Sequence, residues 1–421
     1  MVADSIFKHY LEKKNVLIKN RGILQTTYVP DHLLHRDIQI RDIVDIVAPS
    51  LNKDKPSNIL IIGKTGTGKT AVVNYIGKEL SSADENNNCC YIYVNCEVID
   101  TPYSILYNIS NQIITDPNSK IPFTGWSLDK IFNEIIKVVD NENKVFIIVL
   151  DEIDKSFKKN GDDIFYFLTT INEMLKQSKV SIIGITNNSK FTEECLSPQI
   201  RSRLGEEKII FPPYSPQQLI DILNDRAKYA FNEGVLDPAV VNYCAAISAQ
   251  DSGDARKALD LLRIAGDIAE RNSDECITTA HVDYARQKIE LDAVTEIIKT
   301  LTDQSKIVLK SIIENMNKEE GYITTGDVYV TYSKLAPQLS CSILTQRRVA
   351  DLISELDMLG IINARVKSFG KKGRTKEIDT HISKDVINIL NSDELFIDYV
   401  PKSTKQKTFD NFDSKNNDDR F

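Results

Sequence analysis

Apolar runs of strand length alternate with helical patterns through the first half of the chain. The runs occupy residues 58–62, 91–94, 144–150, 180–186 and 209–211. Helical patterns separate them, beginning with residues 36–51 before the first run and 71–80 after it. This alternation predicts an α/β fold with a largely parallel sheet. The polar stretch 1–28 predicts an extended arm or a short helix.

The strand pattern stops at Pro212-Pro213, and residues 215–298 read as helices only. From residue 299 the helical patterns 302–317, 325–338 and 345–359 precede two short strands that flank a Gly/Lys turn, the order of a winged helix. Residues 402–421 are polar enough to predict a disordered tail. The predicted domains are an N-terminal arm (1–27), a nucleotide-binding core (28–213), a helical lid (214–298), a winged helix (299–395) and the tail (396–421).

Length, composition and cysteine usage indicate the number of domains and the cellular compartment. The chain has 421 residues, which predicts two or three domains, and no apolar run approaches the roughly 20 residues of a membrane span. Seven scattered cysteines without a CxxC pair are typical of reduced thiols and argue against a zinc site. We therefore expect a cytoplasmic protein with no membrane partner.

The net charge of −8 conceals a basic C-terminal part. Residues 299–384 hold 14 Lys and Arg against 10 Asp and Glu, so this part is positive within an acidic chain. A polyanion would be attracted to that end of the protein and not to the rest.

An eight-residue phosphate-loop motif follows the first apolar run. It comprises Gly63, Lys64, Thr65, Gly66, Thr67, Gly68, Lys69 and Thr70 and matches G-x-x-x-x-G-K-[ST] in full. A chance glycine-rich turn is the alternative, but a strand before the motif and a helix after it oppose that interpretation. Backbone N–H groups would cradle the phosphates of ATP or ADP, Lys69 would neutralise them, and Thr70 would ligate Mg²⁺.

Polar residues that follow two later strands complete a hydrolytic pattern. Asp151 and Glu152 end the run 144–150, where Asp151 would hold the Mg²⁺ and Glu152 would act as general base toward water. Asn187 follows the run 180–186 and would orient that water. Alone, each is also an ordinary strand terminus or turn residue.

The C-terminal part carries candidate DNA contacts. Residues 345–359 form an amphipathic helix whose N-terminal end presents Thr345, Gln346, Arg347 and Arg348, as a recognition helix does in a major groove. The turn between the two short strands contributes Lys371, Lys372 and Arg374, which are able to meet phosphates. Winged helices also serve as protein-interaction modules, so this alternative stays open.

Taken jointly, these motifs resemble the AAA+ ATPases and, more narrowly, the archaeal Orc/Cdc-type replication initiators. The resemblance rests on the phosphate loop and on YVPD at 28–31, HRD at 35–37, LDEID at 150–154, FPPY at 211–214, GDARKAL at 253–259 and GRTKEI at 373–378. It implies that Asn187 is the sensor-one residue and Arg256 the sensor-two arginine of the lid. It also implies that Val29, Pro30, Tyr214 and Arg226 line the nucleotide pocket. A helical insert near 105–131 is implied as a second DNA contact.

The same resemblance places a trans-acting arginine finger near Arg201 and Arg203. The family often has arginine after the proline here, whereas this chain has Ser197-Pro198-Gln199. A trans finger is therefore in doubt, and monomeric action with slow turnover stays open.

The resulting expectation is an ATP-dependent replication initiator that binds double-stranded origin DNA and helps recruit or load the replicative helicase. Slow ATP hydrolysis would act as a switch, the protein would associate with the nucleoid, and paralogous initiator subunits are candidate partners. The alternatives are an AAA+ motor or clamp-loader-like ATPase, or a P-loop regulator that uses its winged helix for protein contacts.

Overall fold

Five parallel strands form the sheet that the apolar runs predict. They are β1 (Ile59–Gly63), β2 (Cys89–Asn95), β3 (Val145–Asp151), β4 (Lys179–Thr186) and β5 (Glu207–Phe211), in the spatial order β2-β3-β4-β1-β5. The structure is a computed structural model and describes residues 17–114, 120–122, 125–316, 323–368, 374–379, 382 and 384–396. These residues fall into two units, Met1–Arg286 and Gln287–Phe421.

Helices cover both faces of the sheet, which explains why the central strands are continuous apolar runs. All seven residues of β3 are buried. On one face, α1 (Asp37–Val47) and α2 (Lys69–Ala83) pack on β1 and β4 through residues such as Ile43 and Ile76. The other face is covered by α3 (Pro102–Ile113), α4 (Leu128–Glu142), α5 (Ile153–Asn160) and α6 (Asp163–Thr170). Two shorter helices, α7 (Phe191–Glu194) and α8 (Pro198–Leu204), precede β5.

The strand register brings chemistry-bearing residues to one edge of the sheet. Asp151 pairs with Asn95, and Thr186 pairs with Ile62 one residue before the phosphate loop. Because the strands are parallel, the segments that follow β1, β3 and β4 leave the sheet on the same side.

Helices alone follow β5, as predicted. They are α9 (Pro216–Ala230), α10 (Pro238–Asp251), α11 (Ala255–Asn272) and α12 (Thr279–Thr300). Ser215 begins α9 with a capping box, and the Asp254 side chain accepts from the Arg256 and Lys257 N–H groups at the start of α11. Helices α9, α10 and α11 and the start of α12 belong to the first unit together with the sheet, whereas α12 continues past Arg286 into the second unit.

The N-terminal segment contains a short helix, a 3-10 turn at Arg21–Leu24, as one of the two predicted forms, but the segment also packs on the lid. Leu17 and Ile18 are both 2% exposed and lie against the lid, where Lys19 N donates to Ala230 O at 2.7 Å and Asn232 N donates to Leu17 O at 3.1 Å. Arg21 pairs with Asp267 and Glu270 of α11. Leu17 and Ile18 end the apolar run Val16-Leu17-Ile18 and anchor the segment on the lid, whereas residues 1–16 lie outside the described part.

The second unit has its own core of helices α13 (Asp303–Met316), α14 (Thr325–Gln338) and α15 (Gln346–Met358). Strands β6 (Ile323–Thr324), β7 (Asn363–Ser368) and β8 (Arg374–Asp379) form an antiparallel sheet in the order β6-β8-β7. Helix α16 (Lys384–Asn391) follows, and the Lys306–Asp393 ion pair at 2.7 Å fastens the segment after it to α13. Phe396, assigned to the predicted tail, is 3% exposed and belongs to this core. This is the winged-helix arrangement that the sequence predicts; residues 397–421 lie outside the described part.

Candidate functional site

The phosphate loop runs from the end of β1 to the start of α2, as the motif requires. Gly66 and Gly68 have φ values of +69° and +85°, which favour glycine. A side chain at either position would also collide, since a Cβ on Gly66 would lie 1.6 Å from Asp254 Oδ1 and one on Gly68 would lie 2.8 Å from the Tyr214 hydroxyl. The glycines therefore let the loop turn and let the lid residues pack directly upon it.

Lys69 lies at the start of α2 and is only 5% exposed. Its ammonium donates to Gly63 O and Lys64 O at 2.8 Å each and to Asn187 Oδ1 at 2.6 Å. Burial lowers the pKa of Lys69 to about 8, against the opposing effect of the Glu152 and Asp151 carboxylates. Because burial has removed water from the Lys69 ammonium, an anion bound beside it would stabilise its charged form.

Asp151 and Thr70 present hard oxygen atoms side by side. Thr70 Oγ1 donates to Asp151 Oδ2 at 2.7 Å, and the Tyr93 hydroxyl donates to the same oxygen at 2.8 Å. Asp151 is 2% exposed. A hydroxyl and a carboxylate in contact beside a phosphate loop fit Mg²⁺, which prefers oxygen ligands.

Glu152 is held by Asn187. The Asn187 Nδ2 donates to Glu152 Oε1 at 2.6 Å and to Oε2 at 2.5 Å, while its Oδ1 accepts from Lys69. Burial raises the pKa of Glu152, an effect that the Asn187 hydrogen bonds oppose. One amide thus contacts both the phosphate-loop lysine and the candidate base.

The lid reaches the phosphate loop through the start of α11. Ala255 N donates to Gly66 O at 3.2 Å, and Arg256 is the next residue. The Arg256 charge adds to the lowering of the pKa of Lys69, after burial. Positive charges supplied by both the core and the lid suit a polyanion such as a triphosphate.

A cavity of about 450 Å³ adjoins these residues. Gly66, Gly68 and Thr70 line one part of it, and the rest of its lining includes residues 25–28, Val29, Pro30, Tyr214, Arg226 and Arg256. Arg226 is 8% exposed, and its guanidinium lies 4.6 Å from the centre of the Tyr28 ring. Its buried Nη1 has no hydrogen-bond partner among the described residues. The structure therefore brings Val29, Pro30, Tyr214 and Arg226 to one cavity together with three of the eight phosphate-loop residues.

Arg36 is a member of this region to which the sequence assigned no role. It is 2% exposed and donates to Thr67 O at 2.9 Å and to Pro212 O at 2.8 Å. Its guanidinium lies 3.8 Å from the centre of the Tyr214 ring. The sequence signal was the HRD motif at 35–37, which contributes to the family resemblance without giving Arg36 a role.

The two candidate finger arginines make local contacts. Arg201 donates to Glu193 O at 3.1 Å and Leu196 O at 3.3 Å, and Arg203 pairs with Glu173 at 2.8 Å. The Arg201 Nε and the Arg203 Nη1 are buried, and neither has a hydrogen-bond partner within the part of the chain that the structure describes. A role toward a neighbouring subunit stays a prediction for both.

The candidate DNA residues of the second unit lie at the start of α15. Thr345 caps the helix, accepting from Arg348 N at 3.4 Å, while Gln346, Arg347 and Arg348 are exposed. The opposite face, with Val349 and Leu352, is buried. The helix ends at Met358, so Leu359, the last residue of the predicted helix 345–359, follows it and is 45% exposed. Lys371 and Lys372 lie outside the described residues, as does the side chain of Arg374 at the start of β8.

The insert is also present, as α3 and α4. Trp126 is half-buried against the core of the first unit, and Lys130 Nζ lies 3.9 Å from the centre of its ring. Whether this insert touches DNA stays a prediction.

Three family models match successive parts of the chain. The ATPase family associated with various cellular activities (AAA) matches residues 59–212, the Cdc6 AAA+ ATPase-type lid domain matches 220–287, and the CDC6 C-terminal winged helix domain matches 296–388. The chain is also 49% identical over 383 residues to ORC1-type DNA replication protein 1 of Methanosarcina mazei, covering 90% of this chain and 91% of the relative. The ORC1-type DNA replication protein of Thermococcus onnurineus is 48% identical over 382 residues, 90% of this chain and 92% of that protein.

The chain belongs to the ORC1-type DNA replication proteins.

Solved structures agree with the ORC1-type assignment. The Aeropyrum pernix ORC1 protein in complex with DNA superposes with a TM-score of 0.78 at 42% identity, covering 90% of this chain and 98% of that one. Cdc6p from Pyrobaculum aerophilum shares the fold, with a TM-score of 0.57 at 20% identity over 89% of this chain and 99% of that one.

Membership confirms the resemblance, the fold class and the replication-initiator role predicted from the motifs. The AAA domain also makes this ORC1-type chain a member of an ATPase family. Within the described part of the chain, no helix is long and apolar enough to cross a membrane.

Proposed function

We propose that this ORC1-type protein binds origin DNA in a manner controlled by ATP, with slow hydrolysis resetting the bound state. The observation that carries the proposal is the hydrogen bond from Ala255 N to Gly66 O, beside Arg256. It makes the lid's position depend on the loop that would hold the phosphates. Because the winged helix follows the lid in the chain, a nucleotide that fixes the lid also biases the DNA-binding part.

The nucleotide would be held by residues from both the sheet domain and the lid. Loop N–H groups and Lys69 would bind the β- and γ-phosphates, and Arg256 would reach the γ-phosphate from the lid. Val29, Pro30, Tyr214 and Arg226 would enclose the base and sugar, as the lining of the cavity supports. The Arg226 Nη1, for which the described residues supply no acceptor, would be a donor for such a ligand.

Thr70 and Asp151 would hold Mg²⁺, which when bound offsets charge on the phosphates and orients them. Glu152 would accept a proton from the attacking water, and its raised pKa suits a base that works near neutral pH. Asn187 would position that water and Glu152 together, as its present hydrogen bonds support.

DNA would meet the exposed first turn of α15 and the hairpin between β7 and β8. Arg347 and Arg348 are the described cations at that helix start, and Lys371, Lys372 and Arg374 are the proposed hairpin contacts. The Aeropyrum pernix relative is a protein in complex with DNA, which supports this part of the proposal. Recruitment of the replicative helicase, association with paralogous initiators and residence on the nucleoid are proposed from the initiator family alone.

The DNA-binding proposal is tested by replacing one cation at each contact, Arg347→Ala and Arg374→Ala. We expect each variant to bind an origin duplex about tenfold more weakly and to reduce the slope of log affinity against log salt concentration by about 1 if it loses one phosphate contact. Fluorescence anisotropy with ATP present, across a salt series, measures both quantities. Lys228→Ala, an exposed lid substitution, is the control and should match wild type.

Genome-wide mapping of the protein on its own chromosome gives an independent test of origin binding. Occupancy concentrated where replication starts, and lost in Arg347→Ala, supports the proposal. Uniform occupancy, or DNA affinity that does not change with ATP, would instead favour a regulator whose winged helix contacts proteins.

The pKa of Lys69 gives a prediction for nucleotide affinity. With the pKa at about 8, the ammonium is fully charged at pH 6.5 and about half charged at pH 8 in the protein alone. A bound triphosphate favours the charged form, so affinity should be level below pH 7 and should fall as the pH rises through 8, with proton uptake on binding. Calorimetry at pH 8 in buffers of different ionisation enthalpy measures that uptake, and a zero value would contradict the assignment.

A further inference from the structure

Arg36 connects three parts of the first unit that are distant in sequence. Its Nε donates to Thr67 O in the phosphate loop, its Nη2 donates to Pro212 O where the chain leaves the sheet for the lid, and its Nη1 donates to His35 O at 3.2 Å. Residues 30–36 are where the chain passes from the lid-packed N-terminal segment into α1. Arg36 therefore contacts both segments that connect the sheet domain with the lid, the one that precedes α1 and the one at Pro212.

The environment of Arg36 is unusual for a buried cation. Its charge is compensated by three backbone carbonyls and by the faces of Tyr214 and Phe211, at 3.8 and 5.5 Å from the ring centres. Within the described residues it makes no ion pair with a carboxylate. Burial lowers the pKa of Arg36, an effect that Tyr214 opposes. An arginine kept in such a place at this cost in desolvation fixes geometry, because its planar fork sets the angle between two carbonyls.

A closed ring of contacts runs from Arg36 back to the phosphate loop. Tyr214 stacks on Arg36 and packs against Gly68, and its N–H donates to Gly253 O at 3.2 Å. Two residues further on, Ala255 N donates to Gly66 O at 3.2 Å. The ring closes across Thr67, the residue between the two loop glycines. Any movement of the loop on binding phosphates is thereby passed to the lid residues that carry Arg256.

We propose that Arg36 is a positioning residue that transmits occupancy of the phosphate loop to the lid. The proposal rests on nucleotide binding at this site and adds the residue through which the lid responds to that binding. A purely structural arginine would stabilise the fold equally with and without nucleotide. An arginine that transmits loop occupancy is instead required for the additional ordering of the lid that ATP binding causes.

The decisive variant is Arg36→Lys in the full-length protein. Lysine keeps the charge and much of the length, but one ammonium cannot reproduce the planar fork that spans the Thr67 and Pro212 carbonyls. Arg41→Lys on the exposed side of α1 is the matched control. Arg36→Met is a harsher second variant that removes the charge as well.

Hydrogen exchange at two amides measures directly whether ATP binding at the phosphate loop orders the lid. Ala255 N and Tyr214 N form the bonds between segments, whereas Ala258 N bonds to Asp254 O within α11 and serves as the internal reference. With saturating Mg-ATP, wild type and Arg41→Lys should exchange the first two amides about tenfold more slowly than without it. In Arg36→Lys that slowing should be lost, while the amides of the phosphate loop stay protected by ATP.

The outcomes separate this inference from the function it rests on. If ATP protects no phosphate-loop amide in wild type, nucleotide binding itself is wrong. If the loop is protected in Arg36→Lys and the Ala255 and Tyr214 amides still slow as in wild type, transmission by Arg36 is overturned. If Arg36→Met unfolds in the absence of nucleotide, the test rests on Arg36→Lys alone. The ATP-dependent shift in the Tm of Arg36→Lys reports the same coupling. A shift equal to that of wild type would contradict the inference.

Discussion

Lys69→Ala is expected to weaken ATP binding by at least about 100-fold, which corresponds to about 2.7 kcal/mol. Lys69 is buried, is positioned by two loop carbonyls and Asn187, and lies where phosphate charge would accumulate. Alanine removes the charge-assisted contact and leaves the Asn187 oxygen without its donor. Equilibrium titration with a fluorescent ATP analogue, at a pH below 7.5 so that the wild-type lysine is charged, measures the loss.

The control for that measurement is Lys208→Ala, an exposed lysine of β5 on the same sheet. It should bind ATP within about twofold of wild type, because exposed charges far from a ligand are screened by salt. The thermal unfolding of Lys69→Ala without nucleotide should show a folded protein. Nucleotide affinity equal to that of wild type in such a folded variant would refute the phosphate-loop assignment.

The sheet and the lid were predictable because local sequence determines them. β-Branched runs bounded by polar residues place β3 and β4 within about a residue of their observed ends, and the capping residue Ser215 marks the start of α9. The phosphate loop and Asp151 were equally accessible, since a motif joined to a strand and a helix carries its own structural context. The strand order β2-β3-β4-β1-β5 was not predicted; the structure supplies it, and its register brings Asp151 and the phosphate loop to one edge.

The contacts that join the lid to the loop were not predictable from sequence. Arg36 and Pro212 are 176 residues apart, and Arg36 and Thr67 are 31 apart, so no local pattern reports their hydrogen bonds. The anchoring of Leu17 and Ile18 on the lid was missed for the same reason, because an apolar run as short as Val16-Leu17-Ile18 has no periodicity. The partners of Arg201 and Arg203 likewise depend on tertiary packing that the spacing of α8 does not reveal.

The position of Asn187 near the phosphates was predictable from the sequence, whereas its hydrogen-bond partners were not. Its place after β4 predicted an amide near the phosphates. The structure adds that the same amide binds Lys69 through its oxygen and Glu152 through its nitrogen. An anion that draws Lys69 toward itself would therefore weaken one side of this amide and alter how Glu152 is held, which links phosphate binding to the position of the base.

Glu152→Gln should slow ATP hydrolysis by about 10²–10³-fold while leaving ATP affinity within about threefold of wild type. Glutamine keeps the size of the side chain and one oxygen acceptor for Asn187, but it cannot take a proton from water. Single-turnover hydrolysis of radiolabelled ATP is the suitable measurement, because slow turnover is expected even in wild type. The wild-type rate should rise with pH through the raised pKa of Glu152, since the base acts only when deprotonated, and this dependence should vanish in the variant.

Glu97→Gln is the matched control, since Glu97 follows the neighbouring strand β2, is exposed and pairs with Lys155 at 3.3 Å. The carboxamide change there should leave hydrolysis unaltered, so a loss confined to Glu152→Gln would come from the missing base and not from lost negative charge at the sheet edge. Wild-type hydrolysis by Glu152→Gln would remove Glu152 as the base. Because the variant should hold ATP without consuming it, it should also keep the origin affinity of the ATP-bound protein for far longer than wild type, which separates a nucleotide switch from a motor that needs continuous turnover.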